Sequence, residues 1–428
     1  MKCFTIVTLG SFLAVACSTA PAQVSNPLTG GPARGAGQRE AIHITDNIWQ
    51  ATGFGNTFLI TTPEGNVIID TSSAAPAQEH VKLLKAKSAA PVKYIILTHA
   101  HGDHTGGIPL WREEGTHIIA QKNHVEFMNY QARLNGFFAR RNAAQFGALV
   151  GTGRGTAPWP GDYGAKIWPD ILFDDHYEFT LGGVKFELYS TPGETPDHLS
   201  VWIPQWKVAF TGDNYYESFP NMYTLRGTEP RWALDYVHSL DKVMSWKPEL
   251  VLPSHGQAIR GNSEVTQKLT RSRNAIQYVH DEVVKGMNAG KDVYTLMREI
   301  HLPDDLIVGE SYGKLTWSIR GIYEGYAGWF DMNPATMYET APSAIYPDLV
   351  KLAGGPAAVI RLAGEKLAAG QAEEGLRLTD AALAADASHR GALETRLKIL
   401  DYLRQHSKNS NEQGWLDFSI REVQSKLK

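Results

Sequence analysis

Residues 94–107 of this chain read YIILTHAHGDHTGG, an apolar run followed by a dense group of metal-binding side chains. The apolar residues 94–98 predict a buried β-strand. Three histidines and an aspartate follow it, on a loop at the strand's carboxyl end, where α/β folds commonly place their chemistry. Imidazole nitrogens and carboxylate oxygens are preferred ligands of zinc and similar divalent ions. The stretch therefore predicts a metal site, because a solvated loop seldom combines an apolar strand, this ligand spacing and a Gly-Gly exit.

Further candidate ligands follow other predicted strands. Asp70 lies near the end of the strand-like stretch 66–71, and His198 follows the segment TPGETPD at 191–197. Asp213 closes the strand-like run 208–212, and His255 lies in the segment PSHG after a third apolar run. A lone histidine is usually an ordinary polar residue, but placement at a strand end favours a ligand.

Together these motifs, over residues 40–260, resemble the metallo-β-lactamase superfamily of hydrolases. The resemblance implies that Asp70 braces the metal loop and that two divalent ions, zinc or a similar metal, bind to each chain. It assigns the ligands as His99, His101 and His198 for one ion, Asp103, His104 and His255 for the other, and Asp213 as the bridge. A hydroxide between the ions would attack the substrate, so no serine or cysteine nucleophile is needed.

Composition limits the other function classes. The chain has 428 residues, 43% of them hydrophobic and 20% charged, which is typical of a globular protein of more than one domain. The formal net charge of −4 argues against nucleic acid as a partner. No internal stretch is long and apolar enough to span a bilayer. The resemblance implies a small-molecule ester as the substrate, and we expect membrane contact only through an N-terminal lipid anchor.

The N-terminus has the pattern of an export signal. Lys2 precedes an apolar run from Phe4 to Ala16, and residues 14–17 read AVAC, which resembles a lipoprotein cleavage box. We expect a signal peptide at 1–22, cleaved either before a lipidated Cys17 or by an ordinary signal peptidase after Ala16 or Ala22. The expected location is the periplasm, either soluble or anchored to the outer membrane. The chain has no cysteine after Cys17, so its exported body would be stabilised by its core without disulfides.

Strand-like and helical segments alternate after a flexible tether at 23–39. The alternation favours an α/β fold, an αββα sandwich with two facing sheets and outer helices, followed by an all-α region that resembles tetratricopeptide-type pairs. We expect a helix over residues 103–114, a lid-like loop over 151–170, and a helical hairpin from residues 372–386 and 390–405. The predicted domains are a catalytic domain at 40–262, its helical extension at 263–343 and a helical dimerisation domain at 344–428.

Three further segments resemble the type III alkylsulfatases. They read NMYTLRG at 221–227, GWFDMNPA at 328–335 and RRNAAQFG at 140–147. The resemblance implies a homodimer. It implies that Arg226 binds the sulfate group, because a guanidinium matches two oxygens of a tetrahedral oxyanion. The catalytic residues would then be Arg226, Asp103 and Asp213. Tyr223 and Arg141 are further substrate-binding candidates; for Arg141 and its neighbour Arg140 the alternative is a solvated helix face.

Three positions depart from the alkylsulfatase pattern. That family uses Glu where this chain has His198 and Glu where it has Asp213, and it often has Tyr where this chain has Phe146. Three functions therefore stay open. The first is hydrolysis of a sulfate ester with an apolar, alkyl-type group. The second is hydrolysis of a lactone, β-lactam, thioester or phosphodiester, and the third is metal or ligand binding without catalysis.

Overall fold

The computed structural model of the protein describes residues 38–147 and 168–428. The expected signal peptide, with its cleavage box, and most of the expected loop at 151–170 lie outside these residues. Within the described residues, no helix is both long enough and apolar enough to cross a membrane.

Two mixed β-sheets form the first half of the chain. The first sheet contains β1 (Ile42–Thr45), β2 (Ile48–Ala51), β3 (Thr57–Thr62), β4 (Gly65–Ile69), β5 (Val92–Ile96), β6 (His117–Gln121) and β7 (Ile171–Phe173), in that spatial order. The second contains β8 (His176–Leu181), β9 (Val184–Ser190), β10 (Leu199–Ile203), β11 (Val208–Gly212), β12 (Leu250–Pro253) and β13 (Ile259–Arg260). Strands β4 to β7 run parallel, as do β11 and β12. The candidate ligands follow the carboxyl ends of these parallel strands, except for His198, which lies between the antiparallel strands β9 and β10.

Helices cover the outer faces of both sheets and then form the rest of the chain. Those within the sandwich are α1 (Ala74–Lys85), α2 (Gly102–Thr105), α3 (Ile108–Trp111), α4 (Asn123–Arg133), α5 (Asn135–Phe146) and α6 (Ala233–Ser245). Those after it are α7 (Asn262–Asn288), α8 (Val293–Glu299), α9 (Leu315–Ala327), α10 (Tyr346–Leu352), α11 (Pro356–Ala368), α12 (Ala372–Ala385), α13 (Arg390–His406) and α14 (Ser410–Leu427).

The core has the layers that a sandwich requires. Between the sheets, Phe58 and Phe210 are buried and meet edge to face, with ring centroids 5.2 Å apart. On the outer face of the first sheet, Leu84 of α1 packs in a second cluster, and Tyr236 of α6 lies in the cluster outside the second sheet. The αββα sandwich and the all-α C-terminal region predicted from the sequence are confirmed.

The metal loop differs from its prediction in one respect. Instead of a continuous helix over residues 103–114, the chain forms α2 and α3, separated by Gly106 and Gly107. Gly107 lies so close to the segment after β4 that a Cβ would stand 2.2 Å from the carbonyl oxygen of Thr71. The Thr71 hydroxyl also accepts a hydrogen bond from the Gly107 amide at 3.1 Å. This contact breaks the helix and holds the loop against the end of β4.

The C-terminal helices pack in consecutive pairs. Helices α12 and α13 form the predicted hairpin, and Ile399 and Leu400 are buried against neighbouring helices. The last strand ends at Arg260 and α7 begins at Asn262, close to the expected boundary at 262. The division into the predicted domains stays a prediction.

Candidate active site

Four of the predicted ligands converge at the carboxyl ends of the parallel strands. Asp103, His104, Asp213 and His255 are buried and offer ligand atoms that all lie within 4.8 Å of one another. The His255 Nε2 atom is 3.1 Å from Asp213 Oδ2 and 3.3 Å from Asp103 Oδ2. Ligand atoms of a tetrahedral zinc ion with bonds of about 2.0–2.1 Å lie roughly 3.3 Å apart. The spacing therefore fits a shared divalent cation.

Unsatisfied polar atoms support the same conclusion. Among the residues that the structure describes, His104 Nε2 and Asp213 Oδ1 are buried without a hydrogen-bond partner. Buried polar atoms in proteins are nearly always paired. A cation between these side chains would complete their coordination, so the donor set fits a divalent metal.

Asp70 fixes the orientation of this cluster, as expected. Its carboxylate accepts hydrogen bonds from the amide and hydroxyl of Thr98, from His104 Nδ1 and from the Ser254 hydroxyl, at 2.7–2.8 Å. Because His104 donates its Nδ1 proton to Asp70, its Nε2 lone pair is free for a metal. Ser254 precedes His255, so one carboxylate ties together the ends of β4, β5 and β12.

His99 and His101 extend the cluster on one side. Their ring atoms Nε2 and Nδ1 lie 2.8 Å apart, and His99 Nε2 is 4.0 Å from Asp213 Oδ2. Burial holds the pKa of both imidazoles well below the ordinary value. Both rings are therefore neutral, which is the form that binds a metal.

His198 is buried beside this pair, but its ring is already engaged. Its Nε2 atom accepts a hydrogen bond from the Asp213 amide at 3.1 Å, and its Nδ1 atom donates to the Thr191 carbonyl at 3.0 Å. Gly212, with a positive φ of 51°, allows this approach because a Cβ there would stand 2.3 Å from His198 Nε2. The role of His198 as a metal ligand stays a prediction.

Glu194 is a site residue that the sequence reasoning missed. Its Oε1 atom lies 3.7 Å from His101 Nδ1, and it is paired with Arg231 at 2.5 Å. The Tyr236 hydroxyl donates to its second oxygen at 2.8 Å. A signal was present in the sequence, because the alkylsulfatase pattern has Glu where this chain has His198, and Glu194 stands four residues before it. In the structure the Glu194 carboxylate lies 3.7 Å from His101.

Charges in the four-residue cluster are strongly coupled. Burial alone would lower the pKa of His255, but Asp213 and Asp103 raise it to about 9. Burial would raise the pKa of Asp213, but His255 and His104 hold it well below its usual range. Metal-free protein thus places protonated imidazoles against carboxylates, and a divalent cation would replace those protons.

Arg226 reaches the edge of the site. Its Nη2 atom is 3.3 Å from His101 Nε2. Burial, and next the nearby Arg231, lower its pKa from the usual arginine value, yet a guanidinium stays charged at any working pH. A fixed cation beside the metal ligands can bind an anionic substrate.

The other two predicted substrate-binding residues contact protein instead. Arg141 donates from Nε to the carbonyl of Arg226 at 2.7 Å and from Nη2 to that of Leu225 at 2.5 Å. Tyr223 is 39% exposed and packs against Gly321 of α9. Arg140, next to Arg141 on α5, is exposed to solvent. Substrate contact by Arg141 and Tyr223 stays a prediction.

Aromatic rings surround the polar cluster. Phe54 lies 5.6 Å from His255, and Phe127 lies 5.6 Å from His101, measured between ring centroids. Phe146, the position at which alkylsulfatases often have Tyr, packs edge-on against Phe54 at 6.0 Å. Such rings offer apolar surface next to a charged centre.

Comparisons with known proteins agree with this geometry. Residues 51–255 match the metallo-beta-lactamase superfamily, and residues 295–425 match the alkyl sulfatase dimerisation family. A linear primary-alkylsulfatase of Pseudomonas sp. is 29% identical over 390 residues, covering 86% of this chain and 74% of that protein. An alkyl/aryl-sulfatase of Saccharomyces cerevisiae is 30% identical over 357 residues, covering 76% of this chain and 55% of that protein. The chain thus spans just over half the length of the yeast relative.

A solved structure shares the fold. The stereoselective inverting sec-alkylsulfatase of Pseudomonas sp. aligns with a TM-score of 0.83 at 22% identity, covering 91% of this chain and 66% of that one. This chain therefore carries a metallo-β-lactamase domain over residues 51–255 and an alkyl sulfatase dimerisation domain over residues 295–425, and it resembles the alkylsulfatases.

Proposed function

We propose that this protein is a metal-dependent hydrolase that cleaves a sulfate ester bearing an apolar, alkyl-type group. The observation that carries the proposal is the position of Arg226, whose guanidinium lies 3.3 Å from His101 at the edge of a four-residue metal cluster. Similarity to curated alkylsulfatases supports the same substrate class.

Two divalent ions, zinc or a similar metal, are the proposed cofactors. Asp103, His104, Asp213 and His255 would hold one, with Asp213 shared between the two. His99 and His101 would hold the other, with the third ligand from His198 or from Glu194. The ions would supply a water of lowered pKa and positive charge next to the ester oxygens.

The protein's own residues provide binding and orientation. Arg226 would donate two N–H groups to sulfate oxygens, and a charge-assisted pair of this kind is stronger than a neutral hydrogen bond. Phe54, Phe127 and Phe146 would contact the apolar group of the substrate and exclude water. Asp70 keeps His104 in the tautomer that a metal requires.

Substitution of Arg226 tests the choice of substrate. Arg226→Ala in the metal-loaded protein should lower kcat/KM for a primary alkyl sulfate by roughly tenfold to a hundredfold, because a lost hydrogen bond to a charged group costs about 1.5–3 kcal/mol. Arg226→Lys should restore only part of this, since an ammonium lacks the bidentate geometry.

A panel of neutral and anionic esters provides the comparison. A lactone and a β-lactam lack the sulfate, so Arg226→Ala should change their turnover little. Faster hydrolysis of a lactone, β-lactam, thioester or phosphodiester than of any sulfate ester would favour the second function, which the histidine at position 198 suggests. No turnover of any ester by metal-loaded protein would favour a binding function.

A homodimer is the proposed assembly. The match to the alkyl sulfatase dimerisation family supports it, as do large apolar side chains that stand in solvent between α9 and α11. The most exposed of these are Trp329, Met332 and Leu352, at 76%, 86% and 83%. Such surface is more stable when it is covered.

Export to the periplasm is proposed from the N-terminal segment alone. Its charged start, apolar run and AVAC sequence support a cleaved signal peptide. Mass spectrometry of the N-terminus from a native host separates the outcomes. A diacylglyceryl group on Cys17 indicates a lipoprotein, a free Gln23 indicates a soluble periplasmic protein, and an intact Met1 contradicts export.

A further inference from the structure

Helix α5 lies between the loop that carries Arg226 and the last helix of the chain. On the loop side, Arg141 donates from Nε to the carbonyl of Arg226 itself and from Nη2 to the carbonyl of Leu225. The fork of the guanidinium thus holds two consecutive backbone carbonyls. Gly227, with a positive φ of 95°, closes the turn by donating its amide to the Thr224 carbonyl at 2.9 Å.

On the other side, side-chain hydrogen bonds and close packing join α5 to α14. Gln145 donates from Nε2 to Asn411 Oδ1 at 2.9 Å and accepts from Trp415 Nε1 at 3.0 Å. At Gly414 the two helices approach so closely that a Cβ would stand 1.9 Å from the Gln145 carbonyl oxygen. The position of α14 on α5 is therefore fixed by both shape and hydrogen bonding.

Arg141 belongs to both contacts. Its guanidinium carbon lies 5.5 Å from the ring centroid of Trp415 and 5.0 Å from that of Phe137. A guanidinium over an aromatic face is held by cation–π attraction and stacking. One side chain thus connects the terminal helix to the carbonyl of the residue whose own guanidinium reaches His101.

We infer that Arg141 is a positioning residue through which the C-terminal helical region, by way of Trp415, sets the place of the Arg226 guanidinium beside the metal ligands. This rests on the proposed role of Arg226 in binding the sulfate group. A lysine could replace Arg141 only in part, because an ammonium cannot hold two consecutive carbonyls in a planar fork and also stack on Trp415.

The first experiment measures the loop and needs no substrate. Hydrogen–deuterium exchange is followed in the full-length, metal-loaded protein, on peptides that cover residues 221–231. Arg141→Gln should accelerate exchange there severalfold, while Arg140→Gln, one residue away on the exposed face, should not. Unchanged exchange in Arg141→Gln would overturn the inference.

Trp415→Leu provides a second test in case Arg141→Gln fails to fold. It leaves Arg141 in place and removes the ring, so exchange at 221–231 should rise although the substitution lies in α14. If Arg141→Gln loses protection throughout the chain, exchange in Trp415→Leu tests whether the helical region holds the loop at 221–231. Protection of 221–231 that is unaffected by Trp415→Leu would contradict coupling to the helical region.

The second experiment is a double-mutant cycle on alkyl sulfate hydrolysis with Arg141→Gln and Arg226→Ala. Arg141→Gln alone should lower kcat/KM on the order of tenfold or more, because small displacements of a positioned group are costly. In the Arg226→Ala background it should have less than about a twofold effect, because the group it positions is gone. Arg141→Lys should recover part of the loss.

The outcomes separate the two proposals. Independent, additive losses in the cycle would make Arg141 a general structural residue and overturn the inference. A wild-type protein that cleaves no sulfate ester would contradict the proposed function, while the exchange measurement would still test whether Arg141 and Trp415 hold the loop.

Discussion

Asp70 shows how a single residue organises this site. It lies in the left-handed region, with φ of 55°, and its two oxygens accept four hydrogen bonds from three segments of the chain. Because the carboxylate is fully buried, each of these donors compensates part of the cost of removing its charge from water. The sequence predicted this role from the strand end and the family resemblance, but not the bond to Ser254.

One physical cause explains why the sequence did not predict Glu194 and why the ligand role of His198 stays a prediction. Glu194 and His198 lie on one irregular segment between β9 and β10, where no periodic pattern fixes the direction of a side chain. Which of them faces His101 depends on Arg231 and on the Asp213 amide, both distant in sequence. Spacing along the chain could place both residues near the site but could not orient them.

His80 provides a pH prediction that is separate from the metal ligands. It is 2% exposed; its Nε2 donates to the Thr52 carbonyl and its Nδ1 accepts from the Thr57 hydroxyl. Burial lowers its pKa to about 4, against about 6.5 in an unfolded chain. The unfolded state therefore takes up a proton first as pH falls. Up to about 3 kcal/mol of stability, present above pH 6.5, should be lost progressively by pH 4.

The measurement compares the free energy of unfolding of the wild type and of His80→Gln between pH 7 and pH 4. Taking the difference removes the titration of all other groups. The advantage of the wild type should shrink as the pH falls through this window. A difference that stays constant with pH would mean that His80 does not titrate in this way.

Among the elements, parallel strands were the most predictable feature. Apolar runs that lead to Asp70 and Thr98 in the first sheet, and to Asp213 and His255 in the second, place candidate site residues at the carboxyl ends of parallel strands. The break between α2 and α3 was not predictable. It depends on contact between Gly107 and Thr71, 36 residues apart, and helical periodicity alone does not reveal that contact.

The contact between α5 and α14 predicts opposite effects for two glycine substitutions. Gly414→Ala should destabilise the protein by about 1–3 kcal/mol, because its Cβ would overlap the Gln145 carbonyl and force the helices apart. Gly364→Ala, in α11, meets nothing within 4 Å and should be neutral or stabilising by up to about 1 kcal/mol. Denaturant unfolding of both variants measures this, and equal effects would contradict close packing at Gly414.

The proposed homodimer can be tested on the whole molecule. Sedimentation at micromolar concentration should give a dimer for the full chain. Replacing Trp329 and Leu352 together with Ser should shift the equilibrium toward monomer, because less apolar surface is then covered on association. Leu172→Ser, at an exposed position of strand β7 and outside the dimerisation match, is the control and should leave the dimer intact. A wild type that stays monomeric would contradict the proposed homodimer.

The most direct test of the whole account is hydrolysis of a primary alkyl sulfate by one protein preparation before chelation, after chelation and after reloading with zinc. We predict turnover in the first state, its loss together with the bound metal in the second, and its recovery in the third as occupancy approaches two ions per chain. His255→Ala should bind less metal and stay inactive after reloading, because the cluster loses one of its four converging ligands. Undiminished turnover in protein shown to be free of metal would contradict a metal-dependent sulfate ester hydrolase.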